Sequence, residues 1–371
     1  MAYEVELAWP RQLEGVVVTR YGHGVECQWI EVVEAAHPVP DEAGQRAAAR
    51  ILAVAESLGP EDHLLCLISG GGSALLAAPV EGVSLADKQA VNRALLKSGA
   101  NIHQMNIVRK HLSAIKGGRL AAASYPAATT TLLISDVPGD DPSTVASGPT
   151  VGDPSTLEQA RGVLESLGVD VPTSVRAALL DERNETPCID DPRLALSQVD
   201  VLACAQDALR AASELAAEAG VTPAVLGDTV EGEARDVAQV YAALVRQIRA
   251  HAQPFSVPCV LLSGGETTVT VRGAGRGGRN AEFLLALAIA LDGMEGVYAL
   301  ACDTDGIDGT EDNAGCICGP DTLTRARQHG LDANDALADN DGYRFFEALD
   351  DLIVTGPTLT NVNDFRAILI V

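Results

Sequence analysis

The chain has 371 residues with a formal net charge of −25, and 47% of its residues are hydrophobic. That length suits two ordinary domains. Nucleic-acid binding needs a basic surface, so the acidic balance argues against it. No apolar run reaches the ~18 residues that span a membrane, and the first residues do not resemble a signal peptide. We therefore expect a cytoplasmic enzyme that binds neither nucleic acid nor membrane.

The eight cysteines are scattered along the chain, and none forms a CxxC pair. Several lie in apolar, strand-like runs, where free cysteine is usually a small buried residue. We expect buried thiols in a reducing compartment and no zinc site.

Predicted strands alternate with predicted helices in the first part of the chain. The strands cover 15–20, 30–35, 64–69, 130–135, 199–205 and 223–227, and the helices cover 41–57, 84–123 with a break near Gly99, 155–168, 206–219 and 230–251. This alternation predicts a parallel α/β sheet.

A second series begins after Pro254 and Pro258, which mark a domain boundary. It runs through CVLLSGG, TTVTV, a helix over 280–291, VYALACD, a helix near 320–329, LIVT and AILIV. We predict an α/β protein with two domains. The larger, residues 1–252, has a Rossmann-like parallel sheet, and the smaller α/β domain covers residues 257–371.

A glycine-rich loop follows the third predicted strand. Its residues are Ser69, Gly70, Gly71, Gly72 and Ser73. Glycines at a strand end allow positive φ angles, so that successive N–H groups can surround an anion. The pattern differs from the Walker loop because no Gly-Lys-Ser/Thr follows. We expect a phosphate or carboxylate site here, with a plain tight turn as the alternative.

Cations are concentrated between Lys88 and Ser135, where no Asp or Glu occurs. The densest part is 106–121, in which Arg109 and Lys116 are predicted to lie on one side of a helix and its cap. Arginine forks and lysine charges suit phosphates and carboxylates. We expect a small polyanionic ligand, and the alternative is a solvated basic face.

Acidic and amide side chains follow three other predicted strands. Asp136 ends one of them and can act as a general base or hold Mg²⁺. Asp303 and Asp305 stand at a second strand tip, where they could meet a metal–phosphate complex. Asn361 and Asn363 lie in a polar loop and suit a hydroxylated substrate. The remaining aspartates near Asp136 are expected to serve turns.

Glycines 273, 275 and 278 have the spacing of a dinucleotide-binding fingerprint. The strand before them, TTVTV, alternates polar and apolar residues, whereas the first strand of a dinucleotide fold is buried on both faces. A strand ending in Asp303 does follow the next helix, so a nicotinamide site stays open. We favour an arginine-bearing loop, with Arg276 and Asn280, that closes on phosphates at a helix N-terminus.

Eight segments, in order along nearly the whole chain, resemble the class II glycerate 2-kinases, which have a carboxy-terminal MOFRL-type domain. They are TRYGHG, EAAHPVPDEAG, LISGGGSALL, ADKQAVNRALLKSGANIHQMNIVRKHLSAIKGGRLA, ISDVPGDDPSTVASGPTVGDPST, LSGGETTVTVRGAGRGGRNAEF, DTDGIDGTEDNAG and TGPTLTNVNDF. Members of this family have often been labelled hydroxypyruvate reductase.

The resemblance implies transfer of the γ-phosphoryl group of ATP to the 2-hydroxyl of D-glycerate, with Mg²⁺, in a cleft between two α/β domains. The Asp of the family's ISD motif falls on Asp136, and the Arg of its GGRN motif falls on Arg279. Asp136 would accept or orient the hydroxyl proton, and Arg279 would neutralise charge on the phosphoryl group. The loop Ser69–Ser73 and the basic helix would hold phosphates or the glycerate carboxylate.

The family also has a strand and a Gly-x-Gly-Lys turn before the TRYGH motif, and that lysine is thought to be catalytic. In the family, that turn opens a helix, and MAYEVELAWP resembles the end of this helix. We therefore expect the strand, the turn and the lysine to be missing, either because the start codon was misplaced or because the protein is truncated. Losing such charge stabilisation typically costs ~10²–10³ in rate.

Three interpretations follow. The first is a glycerate 2-kinase, with the activity of this chain left open. The others are an NAD(P)H-dependent hydroxypyruvate reductase and an impaired relative that only binds small anions. The oligomeric state is also open, with a homodimer as one option.

Overall fold

Two compact units make up the computed structural model, which describes residues 1–9 and 13–371. The first unit is Met1–Leu202 and the second is Ala203–Val371. None of the described helices is both long enough and apolar enough to cross a bilayer.

The strands follow the predicted order. They are β1 (Gly15–Arg20), β2 (Ile30–Ala35), β3 (His63–Ile68), β4 (Ala128–Ile134), β5 (Ser197–Ala203), β6 (Thr222–Glu233), β7 (Cys259–Thr268), β8 (Val297–Asp303), β9 (Gly315–Cys318), β10 (Leu352–Ile353) and β11 (Asp364–Ile370).

The helices are α1 (Ala2–Ala8), α2 (Glu42–Glu56), α3 (Gly72–Leu75), α4 (Leu85–Lys97), α5 (Ile102–His111), α6 (Arg119–Ser124), α7 (Leu157–Ser166), α8 (Thr173–Leu180), α9 (Ala205–Glu218), α10 (Ala234–His251), α11 (Arg279–Leu291), α12 (Thr322–Gln328), α13 (Ala333–Ala338) and α14 (Gly342–Glu347). The helices α3, α8, α13 and α14 and the strand β9 were not predicted.

The break predicted near Gly99 has a clear local cause. Helix α4 ends at Lys97, and Gly99 then takes a left-handed conformation with φ +78°. Helix α5 begins with a capping box in which the Asn101 side chain accepts from the Gln104 N–H and the Gln104 side chain accepts from the Asn101 N–H. Glycine at a helix end and a reciprocal cap at the next start separate the two helices.

The strands of the first unit pair in parallel, as the alternating pattern predicted. Strand β1 pairs with β2, and β3 pairs with β4 in the order β3-β4-β5. Within the described residues these are two separate sheets rather than one larger sheet. Helix α2 packs against both β1 and β2.

The larger sheet lies in the second unit and has the order β10-β9-β8-β11-β7-β6. Strand β6 is parallel to β7, whereas β11 is antiparallel to both β7 and β8. The long apolar run of α11 is explained by burial, because its side chains from Asn280 to Ala288 are buried in the core. The Phe283 ring meets the Tyr241 ring of α10 edge-on, with 5.5 Å between centroids.

The division between the units falls earlier in the chain than the boundary expected near residues 252–257. Strand β6 pairs with β7 over most of its length, and α10 packs on α11. These contacts join residues 222–251 to the second unit, because β6 is hydrogen-bonded to β7 along most of its length. The two prolines instead stand in the connection between α10 and β7.

Candidate active site

The first glycine loop lies between β3 and the short helix α3. Gly71 has φ +77°, and a Cβ atom placed there would lie 3.2 Å from Nε2 of His37. A Cβ atom at Gly72 would lie 2.8 Å from the Cβ of Ala146. Within residues 1–9 and 13–371, the N–H groups of Gly70, Gly71 and Gly72 donate to no acceptor. Backbone conformation and close neighbours therefore both require glycine at this loop.

Lys116 ties the glycine loop to the basic stretch. This buried residue donates from Nζ to the backbone oxygen of Ser73 and, at 3.1 Å, to the Ser73 hydroxyl. The Ser73 hydroxyl also lies 2.8 Å from that of Ser147, which contacts Asn106 at 3.4 Å. Neutral oxygen atoms thus hold Lys116 without cancelling its charge.

Two further cations act on Lys116. Arg109 donates from Nε to Oδ1 of Asn92 at 2.8 Å. The Lys88 ammonium is buried and has no hydrogen-bond partner among the described residues, although its side chain as a whole is half-buried. Burial, with the charges of Lys88 and Arg109, lowers the pKa of Lys116 well below its ordinary value. The sequence placed Arg109 and Lys116 at an anion site but did not single out Lys88.

Asp136 follows the end of β4 and is half-buried. Since β3 and β4 are parallel neighbours paired as far as Ile68 and Leu133, Asp136 and the glycine loop follow the same ends of adjacent strands. Ligand sites in parallel α/β sheets occupy that edge. Nearby Asp141 serves its turn, as expected, by accepting from the Ser143 N–H at 2.9 Å.

In the second unit, three carboxylates surround Arg279, the first residue of α11. Its Nε donates to Asp364 at 2.7 Å, its second nitrogen donates to Glu266 at 2.9 Å, and its third donates to Asp303 at 2.7 Å. The sheet creates this arrangement, because Asp364 opens β11 directly opposite Asp303, the last residue of β8. The guanidinium fork satisfies all three acceptors in one plane.

Burial and charge act in opposite directions in this cluster. Burial lowers the pKa of Arg279, but the carboxylates of Asp364 and Asp303 outweigh burial and raise it overall. Burial raises the pKa of Asp303 to about 7, and the charges of Asp305 and Asp364 add to this effect while Arg279 opposes it. A carboxyl group that titrates near neutrality can exchange a proton at physiological pH.

Asp364 is the buried centre of this network. Its oxygen atoms also accept from the Asn280 side chain at 2.8 Å and from the Thr267 N–H at 3.1 Å. Arg366, which is fully buried, donates to the same carboxylate. The sequence named Asp364 only as one polar group of its loop, and only the sheet register reveals its central position.

The amino end of α11 is capped by a protein carboxylate. Asp308 accepts from the N–H groups of Asn280 at 3.0 Å and Ala281 at 2.8 Å. Burial raises the pKa of Asp308 to about 6, although these two N–H groups lower it. At this helix end the N–H groups of Asn280 and Ala281 are therefore bound to a protein carboxylate rather than open to a phosphate.

The loop before α11 is also held by protein groups. The N–H groups of Arg272 and Gly273 donate to the Asn340 side chain at 2.7 and 3.1 Å, and the N–H of Gly275 donates to the Asp339 backbone oxygen at 2.9 Å. A Cβ atom at Gly273 or Gly275 would lie 2.3 or 2.5 Å from that same oxygen. The glycines allow the backbone of residues 339–341 to approach this loop closely, and it is not a pyrophosphate that makes the close approach.

Arg276 is likewise engaged within the second unit. Its guanidinium pairs with Glu311, and its central carbon lies 4.6 Å from the centre of the Tyr343 ring. Its N–H donates to Asp341 at 2.8 Å. The expected loop that closes on phosphates is thus a loop fastened to its own unit.

The sheet order also differs from that of a dinucleotide fold. In such a fold, the strands before and after the first helix are parallel neighbours. Here the antiparallel strand β11 lies between β7 and β8. The fingerprint spacing at 273–278 therefore lacks the topology of a dinucleotide fold, and the N–H groups of residues 273–276 are bound to protein acceptors.

Asp303 and Asp305 do not form a complete metal site. Among the described residues, no group of three or more His, Cys, Asp or Glu side chains is arranged to hold a metal ion. Asp303 accepts from Arg279 and from the Asp305 N–H at 3.0 Å, and Asp305 accepts from the Ile307 N–H at 2.8 Å. Mg²⁺ often takes one or two carboxylates and completes its shell with phosphates and water, and this donor set fits only that mode.

Asn361 and Asn363 shape the polar loop before β11. Oδ1 of Asn361 accepts from the Asn363 N–H at 2.9 Å. The backbone oxygen of Asn363 accepts from the N–H and hydroxyl of Thr304 at 3.0 and 2.8 Å. The loop is thereby attached to the end of β8, beside the Arg279 cluster.

Fold and side chains define a two-unit α/β protein whose polar clusters stand at strand ends. Residues 1–180 match the family model described as a domain of unknown function (DUF4147), and residues 259–364 match the model of the MOFRL family. A D-glycerate 2-kinase of Thermotoga maritima is 42% identical, covering 96% of this chain and 84% of the relative. The chain belongs to the glycerate 2-kinase family.

The chain is also similar to a protein with a different name and to a solved structure. A protein of Agrobacterium vitis named "Putative hydroxypyruvate reductase" is 53% identical, covering 100% of this chain and 84% of the relative. The crystal structure of glycerate kinase from Thermotoga maritima matches with a TM-score of 0.88 at 42% identity, covering 96% of this chain and 85% of that one. The predicted family and fold class are confirmed.

Proposed function

We propose that this protein transfers the γ-phosphoryl group of ATP to the 2-hydroxyl of D-glycerate and releases ADP and 2-phosphoglycerate. The family relationship supports a kinase. The observation that carries the proposal is the carboxylate-free group of cations beside the first glycine loop, in which Lys116 is bound to Ser73. Both substrates are anions, and such a group attracts anions.

The glycine loop Ser69–Ser73, Arg109 and Lys116 are the proposed anion-binding groups of the first unit. Free N–H groups at Gly70, Gly71 and Gly72 add neutral donors to the positive charges. Together they would hold phosphate oxygens or the glycerate carboxylate and orient the reacting groups.

Asp136 is the proposed base that accepts the proton of the substrate 2-hydroxyl. A carboxylate within reach of that hydroxyl raises its nucleophilicity as the bond to phosphorus forms. The position of Asp136 after β4, next to the strand that carries the glycine loop, supports this role.

Arg279 is the proposed group that neutralises charge on the transferred phosphoryl. Its three carboxylate partners compete with a phosphoryl group, so one of them must give way. Glu266 is the most exposed of the three, with 48% of its side chain accessible against 9% for Asp303 and 0% for Asp364. We propose that the nitrogen paired with Glu266 turns to the phosphoryl oxygens, while the other two pairs hold the guanidinium in place.

Mg²⁺ would enter with the ATP phosphates and supply positive charge between them. Asp303 and Asp305 are the proposed protein carboxylates for that ion. Asn361 and Asn363 are proposed to bind substrate hydroxyls, with Arg276 and Asn280 positioning the loop and the helix around Arg279. We further propose that the protein works in the cytoplasm on this small-molecule substrate.

The test incubates the purified protein with Mg-ATP and D-glycerate and follows ADP release, with phosphorus NMR to identify 2-phosphoglycerate. Formation of both products is expected. Oxidation of NADH with hydroxypyruvate, without ADP release, would replace the kinase with the reductase. Binding of ATP or D-glycerate by calorimetry without turnover would favour a protein that only binds small anions.

A further inference from the structure

Lys88 stands out among the lysines of the first unit. It lies in the first turn of α4, and its ammonium group is buried without a hydrogen-bond partner among the described residues. A buried ammonium ion without a partner is costly, and proteins normally pair it or let it lose its proton. A second lysine from the same acid-free stretch, Lys110, is buried but lies 3.3 Å from Asp153.

The charged groups near Lys88 also disfavour its protonated form. Burial, together with the smaller effect of the positive charge of Arg109, lowers the pKa of Lys88 to about 7. The charge of Lys88 in turn disfavours the protonated form of Lys116. No carboxylate is among the causes of either shift, and no ion pair among the described residues joins Lys88 or Lys116 to an acidic side chain.

Neutral groups nevertheless hold two of the cations in place. Arg109 is held by the amide oxygen of Asn92, and Lys116 is held by the backbone and hydroxyl oxygens of Ser73. These acceptors fix positions and leave the charges uncompensated. An arrangement that is unfavourable in the empty protein becomes favourable once an oxyanion enters it.

We propose that Lys88, Arg109 and Lys116 form one oxyanion subsite in the first unit, with Lys88 as its third cationic ligand. The proposal rests on the proposed function only for the identity of the anion, which would be a nucleotide phosphate or the carboxylate of the hydroxy acid. The subsite itself requires no catalytic activity.

Binding at this subsite is expected to take up a proton. An anion beside Lys88 raises its pKa, and the groups that face it, Arg109 and Lys116, then repel it less. Calorimetry of pyrophosphate binding at pH 7.5, in two buffers with different ionisation enthalpies, should show more proton uptake by the unmodified protein than by Lys88→Met. Equal proton exchange in the two proteins would overturn the role of Lys88.

The variant test compares Lys88→Met with Lys97→Met, a matched control at the exposed end of the same helix. The probes are inorganic phosphate, pyrophosphate, ATP and D-glycerate, and the readouts are Tm and Kd. Lys88→Met should raise the Tm of the protein without ligand, because a buried unpaired charge is removed. It should also weaken binding of at least one probe by roughly tenfold or more. Lys97→Met should change neither value.

The pattern across probes identifies the anion. Weaker binding of pyrophosphate and ATP by Lys88→Met assigns the subsite to nucleotide phosphate. Weaker binding of D-glycerate assigns it to the carboxylate, and either result supports the proposal. A lower Tm without ligand together with unchanged Kd values would make Lys88 structural and the proposal wrong. A protein that binds anions through Lys88 but releases no ADP would disprove the proposed function and leave the subsite intact.

Discussion

The Nε atom of Arg279 lies 2.7 Å from Oδ1 of Asp364, although 85 positions separate the two residues in the chain. Strand β11 makes this contact possible, since it inserts between β7 and β8 and begins at Asp364. Asp364 thereby fixes the guanidinium at the sheet edge where Asp303 also ends its strand. The pair explains how the Arg279 side chain is held in place without its whole guanidinium group being buried.

Arg279→Lys should reduce kcat for phosphoryl transfer by about 10²–10³. A single ammonium cannot satisfy Glu266, Asp303 and Asp364 together while it also contacts a phosphoryl group. The free energy of unfolding should fall by about 1–3 kcal/mol, since carboxylates lose charged hydrogen bonds. Steady-state kinetics and urea unfolding measure the two effects, and a fully active variant would remove Arg279 from the mechanism.

Glu266→Gln should strengthen ATP binding a few-fold, because the competing carboxylate leaves one side of Arg279 while Asp364 and Asp303 keep it in place. Calorimetric Kd values at low salt provide the measurement. Glu295→Gln is the control, since it makes the same charge change at an exposed position of the second unit. Equal Kd values for ATP in both variants would mean that Glu266 does not compete for Arg279.

Asp308 should make the protein less stable as pH rises from about 4 to about 6. Its folded-state pKa, about 6, lies above the ordinary value of 3.8, so the folded protein holds more protons in that range. The free energy of unfolding is then highest below the ordinary pKa and falls by up to ~1.4 kcal/mol per pH unit through the folded pKa.

Urea unfolding at pH 4.5, 5.5 and 7 measures this dependence in the unmodified protein and in Asp308→Asn. The difference between the two proteins isolates Asp308 from the general repulsion of an acidic chain. The part of the pH dependence that comes from Asp308 should be absent in the variant. Parallel curves for both proteins would show that Asp308 stays ionised throughout.

Gly275→Ala should lower the free energy of unfolding by about 1–3 kcal/mol, because a methyl group there meets the backbone of Asp339 at 2.5 Å. Gly162→Ala, inside α7 with open space around it, should be neutral or slightly stabilising. A dinucleotide-binding loop would respond differently. Gly275→Ala would then keep its stability and lose affinity for NADH, as measured by fluorescence titration.

Lys110→Met should destabilise the protein by about 3–5 kcal/mol, since it leaves the buried Asp153 without its cation. This is the opposite sign to the effect expected for Lys88→Met, although both lysines come from the same acid-free stretch. Chemical unfolding of the two variants side by side measures the contrast. Adding Asp153→Asn to Lys110→Met should recover part of the loss.

Much of the architecture could be predicted, because periodicity and caps are local properties. The strand GVVVTR is β1 with the same bounds, and the helix predicted over 280–291 is α11 with one more residue. Asp303 was recognised from its position at a strand end, whereas Arg279 was recognised from the GGRN motif of the family resemblance. Ser-Gly-Gly occurs at 69–71 and at 263–265, yet the first segment forms a turn after β3 and the second lies inside β7.

The chain's order of strands and helices, its family and its concentration of cations follow from the amino-acid sequence, since each depends on neighbouring residues or on composition. The placement of β11, the occupants of the 273–278 loop and the partners of each lysine depend on the folded chain. Lys88 and Lys110 have the same side chain and lie 22 positions apart in the chain. Only the packing of α4 and α5 leaves one ammonium without a counter-charge and sets the other beside Asp153, because buried charges are defined by neighbours that arrive from distant segments.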